Sequence, residues 1–230
     1  MRSVQGGDAG SDWRGAPGPD TIESMETIEA PSGVRRVADL RLRGEAGTIP
    51  VRVRWPRSRS APPIVVFLPD AAPADGVSAE DDALGHELSA RVGAVVLCVP
   101  WAPRQPGALD RAEAALMWAA DHGDELGADP GRLVVAGHGA GAAAAAALAL
   151  RAHDRGWPPL RRQVLILGAT RRPASYAAAS VPAAGAPAAA ILVGQSERCA
   201  EWLRATGADV EEVRDLADLA TSLRTALEER

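Results

Sequence analysis

Residues 137–141 read G-H-G-A-G and stand between an apolar run, "RLVVA", and a long alanine-rich segment, "GAAAAAALALRA". A buried strand, a turn with glycines at its first and fifth positions, and a helix together lift the middle residue onto a strained corner above a sheet. When that residue is serine, its hydroxyl is placed to attack an acyl carbon. Here the middle residue is Gly139, which carries no nucleophile. The preceding His138 fits two readings, a remnant of a G-H-S-x-G turn or a residue with a new role.

Acyl transfer also needs a base, a group to orient it, and donors aimed at the developing oxyanion. The histidines are His86, His122, His138 and His153. His86 and His122 fall on expected helices or their ends, and His153 closes the alanine-rich helix, where a cation complements the helix dipole. No two histidines have the i, i+4 spacing of a zinc site, so neither a metal nor a cofactor is expected. Cys98 lies within "VGAVVLCVP" and reads as core; with Cys199 alone it makes no disulfide framework. The chain has no Lys and no Asn, which removes Schiff-base and P-loop lysines and any asparagine oxyanion donor. A serine elsewhere, such as Ser175 or Ser196, would need a base that the sequence does not place beside it.

The elements that would carry these residues are legible in the pattern. Residues 1–33 are rich in Gly, Pro, Asp and Ser without a period and read as a flexible tail; one domain fills 34–230. "VRRVADLRLRG" and "TIPVRVRWP" alternate as half-exposed strands around the turn "GEAG". "PIVVFL" and "AVVLCV" are continuous apolar runs, as strands covered on both faces require. Ser78, three residues before Asp81, resembles a capping box opening a helix that buries Leu84, Leu88 and Val92 and stops at Gly93. Asp110 is expected to cap the next helix. With "RRQVLILGA", "PAAAILVGQ" and "ADVEEVRDL", the count is eight strands and five helices in an α/β fold, a mostly parallel sheet with helices on both faces.

The segment from Asp110 to Ile166, with "GADPGR" leading into the elbow strand and "RAHDRG" closing the helix after it, resembles the hormone-sensitive-lipase-like carboxylesterases of the α/β-hydrolase fold. Weaker matches extend the resemblance from roughly Ala38 to the C-terminus. It implies a catalytic station at each of four places, and this sequence departs from the pattern at all of them. Gly139 stands at the nucleophile, within the elbow Gly137, His138, Gly139, Ala140 and Gly141. Pro69, Asp70, Ala71 and Ala72 replace the H-G-G-G oxyanion loop, and a carboxylate there opposes a developing negative charge. Ser196 or Glu197 fills the slot of the acid, and the run "EVRDLADLATSL" has no histidine where the base is implied. The cap region is reduced, with about twenty residues from "TRRPASY" replacing a longer excursion.

The sequence therefore predicts a pseudo-esterase with no catalytic residue, serving as a small-molecule-binding or protein-interaction module. Two alternatives stay open: a cyclase or lyase that reuses the old pocket, and a weak carboxylic-ester hydrolase. Trp101, at the carboxyl end of a strand, is a candidate ligand contact with His138 and Asp70, although loop packing is the simpler account of Trp101. A net charge of −5 excludes a phosphate-backbone partner, and no run is long and apolar enough to span a bilayer. The absence of a signal-peptide pattern leads to the expectation of a cytoplasmic protein. The expected partners are a ligand in the old cleft, a second copy, or an intact hydrolase. The last strand and helix, "ADVEEV" with "LATSLRTALEE", are the candidate pairing surface.

Overall fold

The computed structural model describes residues 21–44, 47–57, 61–70, 77–100, 102–103, 105–167, 189–194, 197–205 and 207–228. Its centre is a nine-stranded sheet. An antiparallel opening is formed by β1 (Thr21–Ile28), β2 (Val34–Gly44) and β3 (Gly47–Pro56). Then come β4 (Pro63–Leu68), helix α1 (Ala79–Glu87), β5 (Val95–Cys98), α2 (Ala108–Asp121), β6 (Asp129–His138) and α3 (Ala140–Arg155). The chain closes with β7 (Arg162–Ile166), β8 (Ala190–Val193), α4 (Glu197–Ala205), β9 (Val210–Val213) and α5 (Leu216–Glu228). The order across the sheet is β1-β2-β3-β5-β4-β6-β7-β8-β9, parallel from β5 to β9. No helix among the described residues is long and apolar enough to cross a membrane.

Both faces of the sheet are covered. Val66, Leu97, Val135 and Leu165 pack with α2, α3 and α4 on one face, and Val65, Val96, Ala136 and Val164 pack with α1 and α5 on the other. Every residue of β4, β5 and β8 is buried, which is why their sequences are continuous apolar runs rather than alternating ones.

Three expectations change. The sheet has nine strands, not eight, because Thr21–Ile28, read as part of the 1–33 tail, is an edge strand paired with β2. Residues 22–27 are exposed, so β1 has no buried face to leave a pattern in its sequence. Asp110 does not cap α2: Gly107 is the N-cap, and Asp110 sits in the first turn and pairs with Arg151 of α3 at 2.9 Å. The helix read from Ser78 to Gly93 is α1 followed by a π-helical turn, Leu88–Val92, with Leu88 and Val92 buried as expected and Leu84 half-buried. Ser78 does cap α1, its Oγ accepting the Asp81 N–H at 3.1 Å. The shortened excursion lies in 168–188, outside the described residues.

Helix α3 lies close on the sheet because its buried face is alanine and glycine apart from Leu148 and Leu150, with Ala142, Ala145 and Ala146 at 2 % exposure or less. Leucine at Ala146 therefore has no space, and A146L is expected to lower stability by about 1–3 kcal/mol. Ala147, half-buried, is the control. Urea unfolding in which A146L and A147L both match the parent would show that α3 does not pack as closely as described.

Candidate functional site

Strand order reverses direction at β4: the chain steps from β4 to β5 on one side, then returns past β4 to β6 on the other. Open α/β sheets bind ligands in the crevice at the carboxyl ends of strands flanking such a switch point. Here that crevice is bounded by Pro69–Asp70 after β4, by the elbow after β6, and by the first turn of α1.

The elbow has the strained geometry that a nucleophile would occupy. Gly139 adopts φ 55° and ψ −117°, and is the N-cap of α3. An L side chain there is held in a sparsely populated conformation. The first turn of α3 is locked against the strands at main-chain distance: a Cβ on Gly137 would strike the Gly141 carbonyl, and one on Gly141 would strike that of Leu68.

The oxyanion position is already filled. In a nucleophile elbow the N–H of the residue after the nucleophile donates to the oxyanion. That residue is Ala140, and its N–H donates to Asp70 Oδ1 at 2.8 Å. A carboxylate suits this place electrostatically, since the first turn of α3 presents unpaired N–H groups and the positive end of the helix dipole. Pro69 and Asp70 thus end β4 with an internal anion where the resemblance implies glycines.

His138 is 6 % exposed and has a partner that sequence spacing did not reveal. Its Nδ1 donates to Asp81 Oδ1 at 2.8 Å. Asp81, 2 % exposed, also accepts from Ser78 Oγ at 2.6 Å and from the backbone N–H of Asp70 at 3.2 Å. On the other side of the ring, Nε2 lies 4.0 Å from Glu80 Oε1. The signal lay in the capping-box pair Ser78 and Asp81, but its link to a histidine 57 residues away is tertiary.

Neighbouring charges fix α1 to the sheet. Asp82 pairs with Arg54, which is 2 % exposed, and with Arg52 at 3.0 Å; Arg52 also holds Asp39 at 2.7 Å. Burial works to raise the Asp82 pKa, but the Arg54 charge and the hydrogen bonds from Arg54 and Arg52 outweigh it and hold the carboxyl below its usual value. At the end of β5, burial pushes the Cys98 thiol up to about 12, so it is no thiolate nucleophile at neutral pH.

The remaining candidates are dispersed. Glu197 is exposed at the first residue of α4. His122 caps the end of α2, with Nδ1 3.1 Å from the Trp118 carbonyl and its ring stacked on Trp118; His86 is within α1 and His153 in the last turn of α3. Ala71, Ala72, Trp101, Ser175 and Ser196 lie outside the described residues. Among the described residues, no cluster of three or more His, Cys, Asp and Glu side chains is placed to hold a metal ion. A groove of about 620 Å³ lies elsewhere, between β9 and α5, lined by Arg162, Glu211, Arg214, Asp218 and Ser222 among others.

The sheet order, the two covered faces and the elbow define an α/β-hydrolase fold. A family profile described as alpha/beta hydrolase fold matches residues 75–211, and the chain belongs to that family, in its hormone-sensitive-lipase-like carboxylesterase group. Among curated proteins it is similar to the esterase LipI of Mycobacterium tuberculosis, 36 % identical over 137 residues that cover 56 % of this chain and 43 % of that one. It is also similar to the carboxylesterase NlhH of the same organism, 35 % identical over 122 residues, covering 51 % and 38 %. The matched region thus spans less than half the length of these relatives. Among solved structures, the carboxylesterase EstE1, cloned from a metagenomic library, superposes with a TM-score of 0.69 at 23 % identity, covering 87 % of this chain and 91 % of that one. The esterase of Pyrobaculum calidifontis gives 0.66 at 23 % identity, covering 89 % and 86 %. At that identity these two speak for the fold alone.

A depressed carboxyl pKa stabilises the folded state above the unfolded value and stops doing so as pH falls through the folded one. D82N is therefore expected to be less stable than the parent at pH 7, with the gap closing below the ordinary Asp range. Thermal unfolding of both proteins from pH 7 to pH 3 tests this. A gap that stays constant across that range would mean that Asp82 is not held ionised by Arg54.

Proposed function

We propose that this chain is a non-hydrolytic member of its family, a pseudo-esterase whose fold serves as an interaction module. One observation carries the reading. At the position where attack and oxyanion stabilisation would occur, Gly139 offers no nucleophile and Asp70 holds the Ala140 N–H. An ester carbonyl would meet a carboxylate where it needs a donor. In the described part of the crevice the polar groups of Asp70, Asp81 and His138 bond within the protein, which favours a protein partner over a small-molecule ligand in the old cleft. The candidate partners are a second copy or an intact hydrolase, meeting the β9 and α5 edge, where Glu211, Glu212, Arg214 and Asp218 offer a charged surface.

A second reading is favoured by the His138–Asp81 pair. A histidine oriented by a buried carboxylate is a base in waiting, and a lyase or cyclase could use it without a serine. Activity of that kind would be lost in H138A and would not depend on residue 139.

The purified protein is expected to hydrolyse short-chain p-nitrophenyl esters no faster than buffer. The G139S protein is expected to do the same and to leave its serine unmodified by a fluorophosphonate. General-base assistance is worth about 10²–10⁴-fold and one oxyanion donor about 10²–10³-fold, and G139S restores neither. Rapid stoichiometric labelling of the introduced serine would identify a working base, His138 first, and would make the chain an inactivated hydrolase instead.

A further inference from the structure

We infer that Asp70 is a built-in anion of the elbow that fills the oxyanion position and is coupled to Gly139, so that a side chain at residue 139 can enter only by displacing its carboxylate. On this inference, serine at 139 is not simply missing; the site is built so that serine must displace Asp70 to fit. The inference deepens the non-hydrolytic reading and rests on it.

Three observations converge on Asp70. A Cβ built on Gly139 would lie 2.5 Å from Asp70 Cγ and 2.6 and 2.7 Å from its two carboxylate oxygens, so a side chain at 139 requires the carboxylate to move. The carboxylate is held there by the Ala140 N–H at 2.8 Å, so swinging it aside breaks a charge-assisted hydrogen bond at a helix N-terminus. The backbone of Asp70 is held independently, its N–H donating to Asp81 Oδ1 at 3.2 Å.

Asp81 is the positioning residue of this arrangement. It stands at the far end of the segment that begins with Asp70, and its two oxygens gather Ser78, His138 and the Asp70 N–H at 2 % exposure. The start of the old oxyanion loop, the first turn of α1 and the end of β6 therefore meet on one carboxylate. With its backbone fixed by Asp81, the short Asp70 side chain reaches the Ala140 N–H and lies across the volume that a residue-139 side chain would take. Gly139 and Asp70 are then a coupled pair, in which a side chain can enter at 139 only if Asp70 gives way.

A double-mutant cycle read by thermal unfolding tests this. G139S is expected to lower the Tm of the parent by roughly 5 °C or more beyond what it costs in a D70G background, where only the backbone strain at 139 remains. D70N keeps the bulk of Asp70, so G139S is expected to cost as much in D70N as in the parent. If the parent-background G139S protein does not fold, recovery of folded protein from D70G/G139S and not from D70N/G139S is the same result. Equal losses in all three backgrounds, or relief by D70N as complete as by D70G, overturn the inference. The cycle reads stability and not turnover. Ester hydrolysis by the parent would therefore sink the non-hydrolytic reading, whereas additive losses in the cycle would sink only the coupling.

Discussion

Main chain meets main chain where the first turn of α3 crosses the ends of β4 and β6, and the rest of the crevice is built around that contact. A side chain on Gly137 or Gly141 would run into the opposing backbone, so both positions are closed to anything larger than hydrogen. With the helix seated at that distance, residue 139 is forced into its positive-φ corner and the Ala140 N–H is aimed at the space beyond β4. The geometry is not made by a side chain at residue 139. It is set by the glycines on either side and by the alanine face of α3.

The corner therefore keeps its shape with no nucleophile at residue 139. An unpaired N–H at a helix N-terminus is an unmet demand for an acceptor, and a substrate oxyanion meets it only during turnover. Asp70 meets it permanently. The same carboxylate that would oppose ester cleavage thus stabilises the resting fold. Nearby, Asp81 satisfies an imidazole, a hydroxyl and a backbone amide in one buried place, while Arg54 and Asp82 fasten the helix that carries it.

What could be read from the sequence was whatever leaves a local pattern. The covered strands appear as apolar runs, the β2–β3 hairpin as alternation around "GEAG", the start of α1 as Ser78, and the family as the long in-register segment around the elbow. What could not be read depends on neighbours distant in sequence. Strand β1 is exposed on its open edge, so pairing with β2 alone defines it and "TIESMETI" carries no periodicity. Asp110 has the right chemistry for a cap, but Gly107 turns the chain first and leaves Asp110 to meet Arg151. Asp70 reads as a turn residue because nothing in "FLPD" announces an amide 70 residues further on. Asp81 was legible as half of a capping motif, and its role toward His138 was not.

The alanine content of α3 has a further consequence, for the entropy of folding. Alanine has no side-chain rotamers to lose when it is buried, and it has the highest intrinsic helix propensity. A helix made mostly of alanine is therefore ordered at low conformational cost, even though each residue buries little apolar area. Its stability comes from its own backbone and from closeness to the sheet rather than from any one large side chain. The element that presents residue 139 is thus held by the small residues around that corner rather than by a side chain at it.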